Sequence, residues 1–393
     1  MLFFLIIIFG IPLLSLAWWW WAHRRLRQMR TPAVWCWLFS LALIILLGGF
    51  AWIILARREL IDATVPTAVY AAVLLWGLVF LPFLALPMMS SWAMLATGKF
   101  FKRKLRRADD SATLHAADPA RRRLLGATVV ALPLLATFGT AGITLPRTQH
   151  FRIRTLTVKL EELPPALDGM TIAHVTDTHV GKFTRGPLLD RIAKATTELD
   201  ADLVLLTGDL IDNSIKDLPA ALAMVGQMKS RHGLFMVEGN HDLFDDPDEF
   251  VRQTNASGVA LLRNQSALLH VRGHPVQILG IPWKRSEAAI ADDVASVMTL
   301  KQPGSFPILL AHHPHAFDAA AEHGIPLTLA GHTHGGQLML TEEIGAGPAM
   351  YKYWSGLYQK ADRALIVSNG TGNWFPLRTH APAEIIHLTL RRA

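Results

Sequence analysis

The chain has 393 residues, 51% hydrophobic and 18% charged, with a mean hydropathy of +0.29. That excludes a disordered or purely soluble protein, and one Cys excludes a disulfide framework. The net charge of +7 divides by position: residues 1–150 hold 16 Lys/Arg against 5 Asp/Glu, net +11, and residues 151–393 hold 22 against 26, net −4, so the basicity follows the apolar half and no nucleic-acid partner is expected.

Four apolar stretches reach the roughly 20 residues needed to span a bilayer. They are Leu2–Ala22, Ala33–Ala56, Val65–Leu95 and Leu124–Leu145, the third carrying Pro82 and Pro87 and therefore expected to kink or tilt. Trp18–Trp21 beside His23-Arg24-Arg25 reads as an interfacial aromatic belt meeting snorkelling cations. A cleaved signal peptide is disfavoured for the first stretch, which lacks a basic start and a small-residue cleavage site. The first connector carries Arg24, Arg25, Arg27 and Arg30, and the second sets Arg57 and Arg58 against Glu59 and Asp62. The third carries Lys99, Lys102, Arg103, Lys104, Arg106 and Arg107, then Arg121–Arg123. Positive loops stay cytoplasmic, so a four-span membrane domain, residues 1–146, sends residues 147–393 outward from a multi-pass inner-membrane anchor. Ala120-Arg121-Arg122-Arg123-Leu124-Leu125 also partly matches a twin-arginine export signal, with the same outward result. The lone Cys36 lies in a span, leaving the exported part without a thiol.

After Pro146 the periodicity changes. Strands are expected over Ile153–Leu160, Met170–Val175, Leu203–Thr207, Leu234–Glu238, Val259–Leu262, Val276–Ile281, Pro307–Ala311, Leu327–Ala330, Ala364–Ser368 and Glu384–Leu390. Helices are expected over Pro187–Leu199, Pro219–Lys229, Asp246–Thr254, Ala288–Leu300 and Phe317–His323. The pattern gives an α/β domain of stacked sheets covered by helices.

Five of these strands end in Asp, His or Asn: Asp177-Thr178-His179, Gly208-Asp209-Leu210-Ile211-Asp212, Gly239-Asn240-His241-Asp242, His312-His313-Pro314 and Gly331-His332-Thr333-His334-Gly335. Sites in open α/β sheets form outside the carboxyl ends of strands, so these loops should converge. Asp-x-His and His-x-His each aim two donors at one ion, and Gly208 and Gly239 let the backbone turn tightly before Asp209 and Asn240. Oxygen and nitrogen donors without thiolate suit Mn, Fe or Zn, and seven such donors suit two ions sharing a carboxylate.

In this order the five motifs resemble the calcineurin-like metallophosphoesterase family over Thr171 to Leu390. Gly331-His332-Thr333-His334-Gly335-Gly336-Gln337, with Pro376 and Arg378 in the closing Gly370–Glu384 stretch, resembles its membrane-associated bacterial phosphodiesterase branch. The resemblance implies an αββα four-layer sandwich. It implies that Asp177, His179, Asp209 and His334 hold one divalent cation, that Asp209 bridges, and that Asn240, His312 and His332 complete the second. It further implies that His241 faces the substrate with Asp212 orienting it. His312 fits the family's spacing better than His313, while His174 reads as a strand residue and His315 as a helix-start residue. The function expected is hydrolysis of envelope or lipid-linked phosphodiesters by a metal-bridged hydroxide. The alternatives are a cytoplasm-facing pyrophosphatase acting on a UDP-diacylglucosamine-type substrate and a non-catalytic membrane scaffold. A transporter is disfavoured by the lack of Asp and Glu within the proposed spans.

Overall fold

In the computed structural model the described residues are 2–29, 31–57, 65–82, 84 and 119–393, and they divide into two units, Met1–Leu145 and Pro146–Ala393.

The first unit is helical: α1 (Leu2–Gln28), α2 (Ala33–Arg57), α3 (Thr67–Leu74) and α4 (Pro119–Thr144). Ala33–Ala56, of mean hydropathy 2.6, is the one helix among the described residues long and apolar enough to cross a membrane. α3 runs into a wide π-turn, Leu75–Phe80, just before Pro82. A proline there removes an amide donor, and widened turns are a recognised cause of helix kinks. Residues 85–95 of the expected third span, with Pro87, and the connector residues Arg30, Arg58, Glu59, Asp62 and Lys99–Arg107 lie outside the described residues. The four-Trp run does not act as one belt. Trp18 is fully buried, its ring 4.9 Å from those of Phe39 and Trp76, whereas Arg24 and Arg25 lie over Trp20 and Trp21. The run is helical, so successive residues point about 100° apart and cannot share one face. Trp76 Nε1 donates to Ser15 Oγ and Trp19 Nε1 to Ser40 Oγ, each at 2.9 Å, which satisfies the indoles inside an apolar bundle.

The second unit holds twelve strands. In chain order they are β1 (Arg152–Leu160), β2 (Thr171–Val175), β3 (Leu203–Thr207), β4 (Leu234–Val237), β5 (Ala260–Leu261), β6 (Gln265–Val271), β7 (His274–Gly280), β8 (Phe306–Leu310), β9 (Leu327–Ala330), β10 (Gly356–Lys360), β11 (Arg363–Val367) and β12 (Glu384–Arg392). They form two mixed sheets, β1-β12-β2-β3-β4-β5 and β10-β11-β9-β8-β7-β6. The helices are α5 (Pro187–Glu198), α6 (Leu218–Gln227), α7 (Pro247–Ala256), α8 (Glu287–Met298), α9 (Ala316–Glu322) and α10 (Ala346–Met350). One core lies between the sheets, where Ile172, Leu205, Ile386 and Leu388 meet Ile278, Ile308, Leu329 and Ile366. A second joins the first sheet to α5, α6 and α7 through Ile192, Met224 and Phe250, and a third joins β7 and β8 to α8 and α9 through Ile290, Val294 and Ala320. The layers therefore run helices, sheet, sheet, helices.

All ten expected strands form, and two more, β6 and β10, occupy the two edges of the second sheet. β6 alternates weakly and is largely half-exposed, so its hydrophobic period is faint. It pairs with β7 across the two-residue turn Arg272-Gly273, with φ 51° and 80°, the left-handed pair that matches hairpin twist.

Candidate metal centre

β2, β3 and β4 run parallel as neighbours in one sheet, and β8 and β9 do so in the other. Their carboxyl ends deliver all five motif loops to one place. Asp177 and His179 follow β2, Asp209 and Asp212 follow β3, and Asn240 and His241 follow β4. His312 follows β8, and His332 and His334 follow β9.

The loops are held by one another. The Asp177 N–H donates to Gly208 O at 2.9 Å, the His179 N–H to Asp209 O at 3.0 Å and the His332 N–H to the Asp177 carboxylate at 3.0 Å. Five of the candidate residues, Asp177, His179, Asp209, His332 and His334, have φ between 44° and 73°. Such backbone costs about 1–3 kcal/mol per residue and persists where the surroundings over-determine it. The two glycines act differently. Gly208 adopts φ 93° and a Cβ on it would also strike Gly239 N and His312 Nδ1, whereas Gly239 is needed for closeness alone, because a Cβ there would collide with the Asp209 carboxylate and backbone nitrogen.

Two groups of donors meet at Asp209, and a third cluster, His179, Asp212 and His241, adjoins the first. In the first, His334 Nε2 lies 3.0 Å from His179 Nε2 and 3.2 Å from Asp177 Oδ1. In the second, His312 Nε2 lies 3.2 Å from Asn240 Oδ1 and 3.2 Å from His332 Nδ1, which is itself 3.0 Å from Asn240 Oδ1. Asp209 Oδ2 belongs to both, 3.5 Å from His179 Nε2 and 3.2 Å from His312 Nε2. Donors about 2.1 Å from a common cation stand roughly 3 Å apart, so both groups fit a divalent metal of the borderline class. Asp177, His179, Asp209, His312 and His334 are buried and Asn240 and His332 half-buried, and His312 Nδ1 donates to Thr207 O at 2.7 Å, which leaves Nε2 to face Asp209 and Asn240.

Burial and charge set the protonation. Burial pushes His332 down to about 4 and His334 down to about 3, so both are neutral. Burial also opposes charge on His179, yet Asp177, Asp212 and Asp209 overcome it and raise the imidazole to about 10. His312 is likewise raised to about 9 against burial by Asp209. Asp177 and Asp209 are lowered despite burial by the surrounding imidazoles. The carboxylates thus draw positive charge into the site.

His241 stands beside the two groups, its ring 4.5 Å from that of His179. Its Nδ1 donates to the backbone carbonyl of Asp212 at 2.5 Å, while the Asp212 carboxylate lies 3.5 Å away. The expected contact thus runs through the main chain, and the Asp212 side chain sits between His241 and His179 Nδ1, 3.6 Å from the latter. His179 Nδ1 and Asp212 Oδ1 are buried and make no hydrogen bond. Outside the cluster, His174 contacts Thr207 Oγ1 from within β2, and His315 pairs with Glu287 at the start of α9. His313 has its ring 4.7 Å from that of His332 and contributes to neither group.

Four further residues complete the site. Asp242 accepts from the Gly239 and Ile211 N–H groups and so pins two of the loops. Buried Arg378 donates to His334 Nδ1 at 2.9 Å and to the carbonyls of Gly372, Asn369 and Ala381. The Phe244 ring is 4.5 Å from His241, and the Trp374 ring is 6.3 Å from both His241 and His334. Asp242 and Arg378 stand inside sequence motifs, whereas nothing in the sequence marks Trp374 as a neighbour of His241.

Residues 170–336 match the family model for the calcineurin-like phosphoesterase domain. A metallophosphoesterase of Helicobacter pylori, itself uncharacterised, is 31% identical over 59% of this chain and 64% of its own. A transmembrane protein with a metallophosphoesterase domain from Danio rerio is 30% identical over 68% of this chain and 63% of its own. YkuE of Bacillus subtilis, another uncharacterised metallophosphoesterase, is 27% identical over 60% of this chain and 84% of its own. The matches thus span less than two thirds of the first two relatives' lengths. With the motif order and the paired Asp/His groups, these likenesses support assigning residues 170–336 to the metallophosphoesterase family.

Proposed function

We propose that the second unit hydrolyses phosphate esters, as a phosphodiesterase acting on envelope or lipid-linked substrates. The observation that carries this reading is the single oxygen, Asp209 Oδ2, within 3.5 Å of imidazole nitrogens from both donor groups. Asp177, His179, Asp209 and His334 would hold one divalent cation, and Asp209, Asn240, His312 and His332 the other, with Mn, Fe or Zn suited to the donors. When bound, such a pair supplies an activated water and offsets the charge of the phosphate. The chain does the rest. Asp177 receives the His332 N–H and Asp209 Oδ1 the His241 N–H, at 2.8 Å, so the loops that bear the donors are fixed before substrate arrives. With Nδ1 tied to the Asp212 carbonyl, His241 has Nε2 left to give a proton to the leaving oxygen. The Asp212 carboxylate places negative charge behind the ring.

The first unit serves in this reading as a four-span anchor in the inner membrane, joined near Pro146 to an outward-facing catalytic domain. Support comes from the basic first and third connectors, the apolar Ala33–Ala56 helix and the transmembrane naming of the Danio rerio relative. The test is metal analysis of the purified protein beside a screen of phosphomonoesters, phosphodiesters and lipid phosphates. Close to two metal equivalents with diester turnover is expected. Turnover that survives exhaustive chelation, or none in the metal-loaded protein, overturns the reading.

A further inference from the structure

We propose that Phe244 and Trp374 bracket His241 so as to hold the hydrocarbon of the leaving alcohol, making a lipid phosphodiester the substrate class. This rests on the hydrolase reading and says which half of the ester the site selects.

Phe244 is 55% exposed and Trp374 43% exposed, although both rings lie against buried or half-buried imidazoles. Large aromatic side chains left in water beside a polar site are the pattern of a binding surface. They come from separate loops, Phe244 after β4 and Trp374 before β12, and both stand beside His241, their ring centroids 4.5 Å and 6.3 Å from its own. His241 is the proton donor to the leaving oxygen, so the group attached to that oxygen meets the two rings. Charge narrows the class further. Asp245, Asp246 and Asp248 are exposed and come directly after Phe244. Asp246 caps α7 by accepting the Glu249 N–H and Asp245 Oδ2 accepts the Ile215 N–H, so these carboxylates are held in the segment that follows Phe244. A nucleotide or polyphosphate leaving group would bring anions against these carboxylates, whereas an uncharged lipid alcohol would not. In the step, water oxygen bonds to phosphorus and the P–O bond to the lipid alcohol breaks. The His241 proton goes to the departing oxygen, and a proton of the water passes back to the site. The products are the alcohol and a phosphomonoester.

The experiment compares methyl decyl phosphate with the same ester bearing a terminal sulfonate on the decyl chain, using the full-length protein in detergent. The remote sulfonate leaves the reactivity of the ester bond alike, and the readout is release of the long alcohol. The decyl ester should have a kcat/KM about tenfold or more higher, the worth of two or so buried methylenes. F244A and W374A should each bring that ratio toward one. Binding of decylphosphonate and methylphosphonate, measured by calorimetry, reads the bracket without turnover. Equal kcat/KM for the two esters, or an unchanged ratio in both variants, overturns the proposal while leaving the hydrolase reading intact. Chain-dependent phosphonate binding that F244A and W374A abolish, with no ester cleaved, refutes the hydrolase reading and sustains the bracket.

Discussion

Arg378→Met should destabilise the second unit more than any surface change. The side chain is 2% exposed and donates to Gly372 O at 2.7 Å, Asn369 O at 2.9 Å, Ala381 O at 3.0 Å, Asn373 Oδ1 at 2.7 Å and His334 Nδ1 at 2.9 Å. Methionine fills similar space and donates nothing. Three buried carbonyls then lose a close donor at about 1–3 kcal/mol each and a fourth, His334 O, a longer contact at 3.4 Å, while relief of a buried guanidinium returns several, for a net loss of about 2–5 kcal/mol. Burial lowers the guanidinium to about 10, so it is still charged at neutral pH and the variant removes a cation. Domains hold only about 5–15 kcal/mol in all, so the change should be large. The assay is urea unfolding of the full-length protein in detergent with excess chelator, read by pulse proteolysis of the second unit. With a slope of about 3 kcal/mol per molar, the midpoint should fall by roughly 1 M, and Arg378→Lys should fall between. An unchanged midpoint in Arg378→Met would refute the reasoning, since it would mean that the carbonyls find other donors at no cost.

Asp209→Asn should leave well under one metal equivalent per chain by elemental analysis, because an amide cannot supply the shared charge; a full pair would show that Asp209 does not bridge. His241→Ala should keep both metals and lose about 100- to 10,000-fold in turnover, less for esters with good leaving groups; loss of a metal instead would make His241 a ligand. Gly239→Ala should lower both metal content and the unfolding midpoint, since its Cβ would strike the Asp209 carboxylate. Alkaline phosphatase fused after Pro146 should be active, with the second unit protease-sensitive in spheroplasts; a fluorescent cytoplasmic reporter and full protection would reverse the topology.

The part of the fold legible in the sequence is local. The five motif loops announce themselves because each joins a short apolar strand to residues with metal-donor chemistry, and parallel strands must send those ends the same way. The edge strands β6 and β10 escape notice because an edge buries little and its pattern is diluted by polar residues. Trp18 departs from the expected belt because four consecutive tryptophans share a composition but not a helix face. For Asp212, the family resemblance implies an orienting role, but not that the carbonyl, rather than the carboxylate, takes the close contact. Phe244 and Trp374 lie 130 residues apart, and only the folded chain brings them to one histidine.

β12 is made after every other strand of both sheets, yet it lies between β1 and β2, paired with β1 over nine positions and with β2 over four. Until it arrives, β1 has no neighbour and β2 presents an open edge. At roughly 5–20 residues per second, the 248 residues of the unit take on the order of 10–50 s to be synthesised, and their first strand stays unmatched throughout. The contact is also among the most distant in the chain, as Arg152 pairs with Glu384, so closing it is slow for entropic reasons. Translation therefore imposes an order on the protein: helices first, catalytic fold only after its final strand.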